Sequence, residues 1–242
     1  SGVIYRNIDF GEYGSDEVTI PVFALDSELH DIELWLGVPG EEDSELFCKL
    51  PYQKPSQWNV YQEDTWKLPR RIKGVQALAI QMHEKVHIKG FVFKKYEKAF
   101  SPLYAAECNK VYGDSFCVEE QAITGIGNNV TIVFENMDFC ETGAKGIELT
   151  GRSKLSGNTI HILFTSENGE VQRRVLEVKG TTEYEAQTFA FEAITGKGKI
   201  EFVVNVDEAA GKLKMRVSDT GVGIPKEKRG ELFKRFMQSN FS

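Results

Sequence analysis

The octapeptide Asn7-Ile8-Asp9-Phe10-Gly11-Glu12-Tyr13-Gly14 returns as Asn136-Met137-Asp138-Phe139-Cys140-Glu141-Thr142-Gly143, with Asn, Asp, Phe, Glu and the final Gly kept in place. A motif recurring at this separation implies one structural plan laid down twice. Each copy is followed by an alternating apolar run and then by an Ile-rich strand signal, Asp31-Ile32-Glu33-Leu34-Trp35-Leu36 and Thr159-Ile160-His161-Ile162-Leu163-Phe164. Further on, Gly74-Val75-Gln76-Ala77-Leu78-Ala79-Ile80 aligns with Gly198-Lys199-Ile200-Glu201-Phe202-Val203-Val204. The 242 residues leave room for two domains of about 100–150 residues, each with its own core. The reading is a domain over 1–98, a second over 99–206 and a C-terminal piece over 207–242, with the polar stretch 94–103 linking the first two.

Short runs rich in Val, Ile, Thr and Phe recur between Gly, Asn and Asp clusters, and helical periodicity is scarce before the C-terminus, so both domains are expected to be all-β sandwiches. Asn168-Gly169 between two such runs predicts a hairpin closed by a type I′ turn, because both residues tolerate positive φ. At 41% hydrophobic and 27% charged residues the chain is too apolar for wholesale disorder and too interrupted for a membrane span. Its formal charge of -7, with no basic stripe, argues against nucleic acid. Cys48, Cys108, Cys117 and Cys140 form no CxxC pair, which points to buried free thiols; spacing leaves a Cys108–Cys117 bridge open. Ser1-Gly2 reads as a tag scar, no signal-peptide pattern opens the chain, and the compartment is not written in the sequence.

The second copy carries Tyr104-Ala105-Ala106-Glu107, then Gly125-Ile126-Gly127-Asn128-Asn129-Val130, then Asp138-Phe139 and Gly143-Ala144-Lys145-Gly146. This order resembles the family 6 carbohydrate-binding modules. With Lys54-Pro55-Ser56-Gln57-Trp58-Asn59-Val60-Tyr61-Gln62 in the first copy, the pair looks like the accessory modules of bacterial glycoside hydrolase family 2 β-galactosidases. The resemblance covers roughly residues 3–204 and implies jelly-roll sandwiches that bind a β-glycan or galactoside without catalysing anything. It also implies a catalytic domain as partner, absent from this chain. In that family, sugar rings stack on an aromatic beside the Gly-Asn turn and on another in a later loop. Asn128 stands at the first place, and Trp58, Tyr61 and Tyr184 fall near the second. An aromatic face suits the C–H side of a sugar, and rim packing suits the same rings equally well.

The first copy departs from the pattern by starting at its middle strand, which leaves it in need of another edge partner. The family's structural calcium would take Glu107 from the opening strand. In the first copy Lys89 occupies the place of the closing-strand acid, and an ammonium does not ligate a hard cation.

Beyond Phe202 the resemblance changes. Val217-Ser218-Asp219-Thr220-Gly221-Val222-Gly223-Ile224-Pro225 looks like the first glycine box of histidine-kinase ATPase domains, and Leu232-Phe233-Lys234-Arg235-Phe236-Met237-Gln238 like their phenylalanine box. This implies nucleotide contacts from Asp219, Gly221 and Gly223, in a chimera that keeps only a relic of the site. Residues 212–218 alternate and are expected to pair antiparallel with 199–206, followed by a short C-terminal α-helix to about Gln238 with an apolar stripe.

Two patterns read as decoys. His83-Glu84-Lys85-Val86-His87 satisfies the HExxH zinc motif, but its flanks read as strands around a turn, where the two imidazoles need not converge. Glu41, Glu42 and Asp43 sit together in a Gly-Pro loop and read as a solvated turn, not a hydrolytic carboxylate pair. The kinase-like tail lacks both an Asn-bearing helix for Mg²⁺ and a second glycine box for the phosphates. Calorimetric titration with Mg·ATP is therefore expected to show no micromolar binding; micromolar affinity that Asp219→Asn abolished would overturn the relic reading.

Overall fold

A computed structural model describes residues 2–82 and 85–205, and the backbone of 213–218. The chain divides into two units, Ser1–Tyr96 and Glu97–Ser242. The first holds β1 (Gly2–Asp9), β2 (Ser15–Ala24), β3 (His30–Leu36), β4 (Glu45–Tyr52), β5 (Gln62–Ile72), β6 (Val75–Met82), β7 (Val86–Ile88) and β8 (Val92–Phe93). In the second, 3-10 turns at Lys98–Phe100 and Ala105–Glu107 precede β9 (Lys110–Tyr112), β10 (Cys117–Val118), β11 (Ile123–Ile126), β12 (Val130–Asp138) and β13 (Ala144–Ser153). There follow β14 (Asn158–Ser166), β15 (Val171–Val178), β16 (Thr181–Ile194), β17 (Lys197–Asn205) and β18 (Leu213–Ser218). The C-terminal helix expected to reach Gln238 lies outside the described residues.

Each unit is a sandwich of two antiparallel sheets. In the first, β1-β6-β3-β4 faces β5-β2-β7, with β8 also pairing β2. In the second, β15-β14-β17-β12-β9 faces β10-β11-β18-β13-β16. Alternation explains the packing: Ile32, Leu34 and Leu36 point inward from β3 against Val18, Ile20 and Val22 of β2, while the residues between them face out. Ile160, Ile162 and Phe164 of β14 are buried in the same way.

The repeated octapeptide is a corner. In both units the crossover that leaves the first sheet (β1 to β2, β12 to β13) is hydrogen-bonded to the crossover that returns to it (β5 to β6, β16 to β17). Phe10 N–H donates to the Gly74 carbonyl at 2.9 Å and Gly74 N–H to the Gly11 carbonyl at 2.9 Å; Phe139 N–H donates to Gly196 at 2.9 Å and Gly196 N–H to Cys140 at 3.0 Å. Asp9 Oδ1 accepts the Gly11 N–H at 2.8 Å, and Asp138 Oδ1 the Cys140 N–H at 3.0 Å. Asn7 and Asn136 take left-handed φ of 59° and 56° at a register shift in each first strand, which Asn does at little cost. The corner corrects the alignment: Gly74 matches Gly196, not Gly198. A two-residue slip keeps every side chain on its own face, so alternation alone does not distinguish the two alignments.

Three further expectations change. Only Gly169 has positive φ in the β14–β15 hairpin. Its N–H reaches the Ser166 carbonyl at 2.9 Å and Ser166 N–H reaches Glu170 at 2.9 Å, which makes a three-residue loop ending in a left-handed glycine, not a type I′ turn. β18 does not pair with β17; it enters the other sheet between β11 and β13, with Leu149 opposite Val217 and Ile123 opposite Met215. That is the place β7 and β8 hold beside β2 in the first unit. All four cysteines are free, and Cys117 and Cys140 are exposed, not buried.

Unit 1 has no counterpart of β9, β10 or β11 among its described residues, so β1 and the β7–β8 line are sheet edges. Val3, Ile4 and Tyr5 of β1 are exposed.

Gly14 at φ 86° would drive a Cβ to 2.2 Å from the Ile72 carbonyl, whereas Gly11 at φ 71° faces open space, and its counterpart Cys140 carries a side chain at φ 52°. Gly11→Ala is expected to cost about 1–2 kcal/mol through its φ alone. Gly14→Ala should cost at least twice as much, read from the urea midpoint of the first unit; equal midpoints would remove the corner's steric role.

Candidate functional site

The strand registers show which side chains occupy equivalent places. Val22 lies eight residues beyond Gly14 and Gly151 eight beyond Gly143, and they sit opposite Gln62 and Glu185 in turn. Tyr61 and Tyr184 therefore occupy the same position of the two sandwiches, and Phe23 and Arg152 the same position beside them. Trp58, which the sequence suggests as the partner of Tyr184, matches Thr181 instead.

In the first unit these positions form an aromatic cluster on the outer face of β5-β2-β7. Phe23 is nearly buried, with 8% exposure. Trp58 stands edge-on to it at 6.0 Å and 85°, Tyr61 at 6.0 Å and 62°, and His87, its cross-strand neighbour on β7, lies near-parallel at 5.9 Å and 23°. Trp58 keeps 83% of its surface exposed and Tyr61 38%.

The loop that carries Trp58 is fixed by polar contacts. Ser56 Oγ donates to the Ala24 carbonyl at 2.7 Å, Ser56 N–H to Ser27 Oγ at 3.0 Å, and Gln62 Nε2 to the Pro55 carbonyl at 2.8 Å. Val60 N–H closes the turn on the Gln57 carbonyl at 3.1 Å, with Asn59 at φ 60°. The neighbouring β2–β3 loop is organised by Asp26, whose carboxylate takes Lys85 Nζ at 2.9 Å, His30 Nε2 at 2.7 Å and the Glu28 N–H at 3.2 Å. The Lys85 ammonium first, then the His30 ring, hold its carboxyl down at about 2.

In the second unit Tyr184 is 42% exposed, and the Arg152 guanidinium lies over its ring at 5.1 Å. Desolvation raises the Tyr184 hydroxyl's pKa, Arg152 pulls it back and Glu119 adds to the rise. Arg152 also borders a small crevice at the end of the sandwich, with Leu149, Ile160 and Val178 on its apolar side and Lys179 and Gln187 beside them. Asn128 is half-buried in the β11–β12 turn. The structure thus brings Trp58 and Tyr61 together around Phe23.

Phe23, His87 and Arg152 carry no sequence signature of their own; only the registers assign them. Their signal was available in the repeat, once anchored on Gly14 and Gly143.

Glu107 uses its carboxylate to accept the Tyr104 N–H at 2.9 Å, closing the turn at Ala105–Glu107. Calcium requires six to eight oxygens, and among the described residues no group of three or more His, Cys, Asp and Glu side chains converges there or elsewhere. His83 and Glu84 of the HExxH string lie outside the described residues; its flanks are the strands β6 and β7. Asp219, Gly221 and Gly223 also lie outside them. Glu41, Glu42 and Asp43 are exposed in a turn closed by Glu41 N–H to Val38 at 2.9 Å and Ser44 N–H to Glu41 at 3.1 Å.

No family profile matches the sequence, and no curated protein matches it. Among solved structures the chain is similar to a family 6 carbohydrate-binding module studied for its binding subsites, at 25% identity over 50% of this chain and 92% of that one, TM-score 0.42. It is similar to a family 6 module from Clostridium cellulolyticum in complex with xylose, at 23% identity over 52% and 98% of the two chains, TM-score 0.43. A tandem pair of family 22 modules from Paenibacillus barcinonensis aligns over 92% of this chain and 83% of that one, at 7% identity and TM-score 0.31.

Asp26 ionises at about 2 in the folded chain and near ~4 when unfolded. Its contribution is therefore present above about pH 4 and is lost as pH falls toward 2. Melting temperatures from pH 5 to 2 are expected to fall less steeply for Asp26→Asn than for the parent chain; parallel curves would show that Asp26 does not organise this loop.

Proposed function

We propose that the chain is a non-catalytic carbohydrate-binding region, with Trp58 and Tyr61 as the sugar-stacking surface of the first unit. One observation carries the reading: a tryptophan 83% exposed on a loop held by side-chain and backbone hydrogen bonds. Free indole surface in water is unfavourable, and a fixed loop removes the entropy cost that a mobile ring would meet on binding. Such a ring offers apolar area and π-density to the C–H face of a pyranose. The motifs shared with family 6 modules support the same reading. A β-glycan or galactoside as ligand, and a family 2 β-galactosidase as the parent that supplies catalysis, follow from that resemblance.

A glycan array identifies the sugar, and quenching of tryptophan fluorescence measures its affinity. The other tryptophans are anchored elsewhere: Trp66 Nε1 donates to the Pro51 carbonyl at 2.9 Å and Trp35 Nε1 to Glu33 at 3.3 Å. The quench should therefore vanish in Trp58→Phe. Trp58→Ala is expected to weaken binding by about 1–3 kcal/mol with an unchanged melting temperature. A lowered melting temperature with affinity intact would assign Trp58 to packing and end the proposal.

A further inference from the structure

The two units present the same tyrosine with different neighbours. In the first, Phe23 stands against Tyr61, and the platform is made of the rings of Phe23, Trp58, Tyr61 and His87. In the second, the register puts Arg152 where Phe23 stands, with its guanidinium over Tyr184. Among the described residues this guanidinium makes no hydrogen bond or ion pair. Glu119, whose charge acts on the Tyr184 hydroxyl, accepts the Thr124 hydroxyl at 2.7 Å. Half-buried and over a ring, Arg152 has given up part of its hydration, yet its N–H donors are uncommitted among the described residues.

From this juxtaposition we infer that the second unit's site takes an acidic sugar: its ring packs at Tyr184 and its carboxylate is gripped by Arg152. The inference rests on the glycan-binding reading and divides the two units by ligand class, neutral for Trp58–Tyr61 and anionic for Tyr184–Arg152. The chemistry favours a planar anion. The guanidinium presents parallel N–H donors that match the two oxygens of a carboxylate, and it already lies over the Tyr184 ring. A neutral hydroxymethyl group in the same place offers one weak acceptor and leaves most of the fork unsatisfied.

The test uses a matched pair of probes on the full chain, cellotetraose and its C6-oxidised tetrauronate, titrated calorimetrically. The tetrauronate is expected to bind at Tyr184–Arg152 about tenfold more tightly than cellotetraose, and raising salt from 50 to 500 mM should erase most of the gain. Arg152→Met, which keeps the stack and removes the charge, should abolish the preference. Arg152→Lys should restore part of it, and Trp58→Ala should leave it untouched. Thermal melts confirm that each variant folds. Binding of cellotetraose with no preference for the uronate, or a preference that survives in Arg152→Met, overturns this assignment while the glycan reading stands. Failure of the unaltered chain to bind any sugar, on these probes and on the array, overturns both.

Discussion

Two crossovers between sheets grip each other through a reciprocal pair of backbone hydrogen bonds, and the remainder of each sandwich is registered from that point. Phe10, Gly11 and Gly74 do this in the first unit, and Phe139, Cys140 and Gly196 in the second. A strand that slipped by one residue would turn its apolar side chains to water. The corner prevents this by fixing where β2 and β6 begin. The recurring Asn, Asp and Gly of the octapeptide are therefore backbone residues in function: one accepts left-handed φ, one caps an N–H, and one leaves space for a carbonyl.

The same anchoring explains why the two candidate sites coincide in position and differ in character. Neither Tyr61 nor Tyr184 lies in the repeated motif, yet counting from the corner brings them to one place. The chemistry beside that place was free to diverge, because Phe23 and Arg152 both face outward from a strand whose inward residues are the constrained ones. Duplication preserved an address and let its occupant change.

Legibility followed the range of the interactions involved. The strands, the hairpin at Asn168-Gly169 and the tandem plan could be read from the sequence because period-two alternation and turn residues act over a few positions. The turn type could not, since Asn168 and Gly169 fit two loops that differ in one residue. The pairing of 213–218 is not legible for a different reason. A hairpin is the default for adjacent strands, but β17 is already flanked by β14 and β12 and has no edge to offer. The first copy contained the answer, as its own closing strands cross to β2. Of the candidate site, Trp58 and Tyr61 were visible as aromatics in a polar loop, while Phe23, His87 and Arg152 needed the registers.

The path of β18 also bears on the order in which the chain can become whole. Unit 1 draws its last strand from Val92–Phe93, so every strand of both its sheets has left the ribosome before the second unit begins. Unit 2 is different, because the strand between β11 and β13 comes last, from Leu213–Ser218. Until that segment emerges, β10 and β11 have only each other to pair with, and two short strands are marginal in water. The second unit is thus a structure whose centre is installed at the end, after both of its flanks are in place.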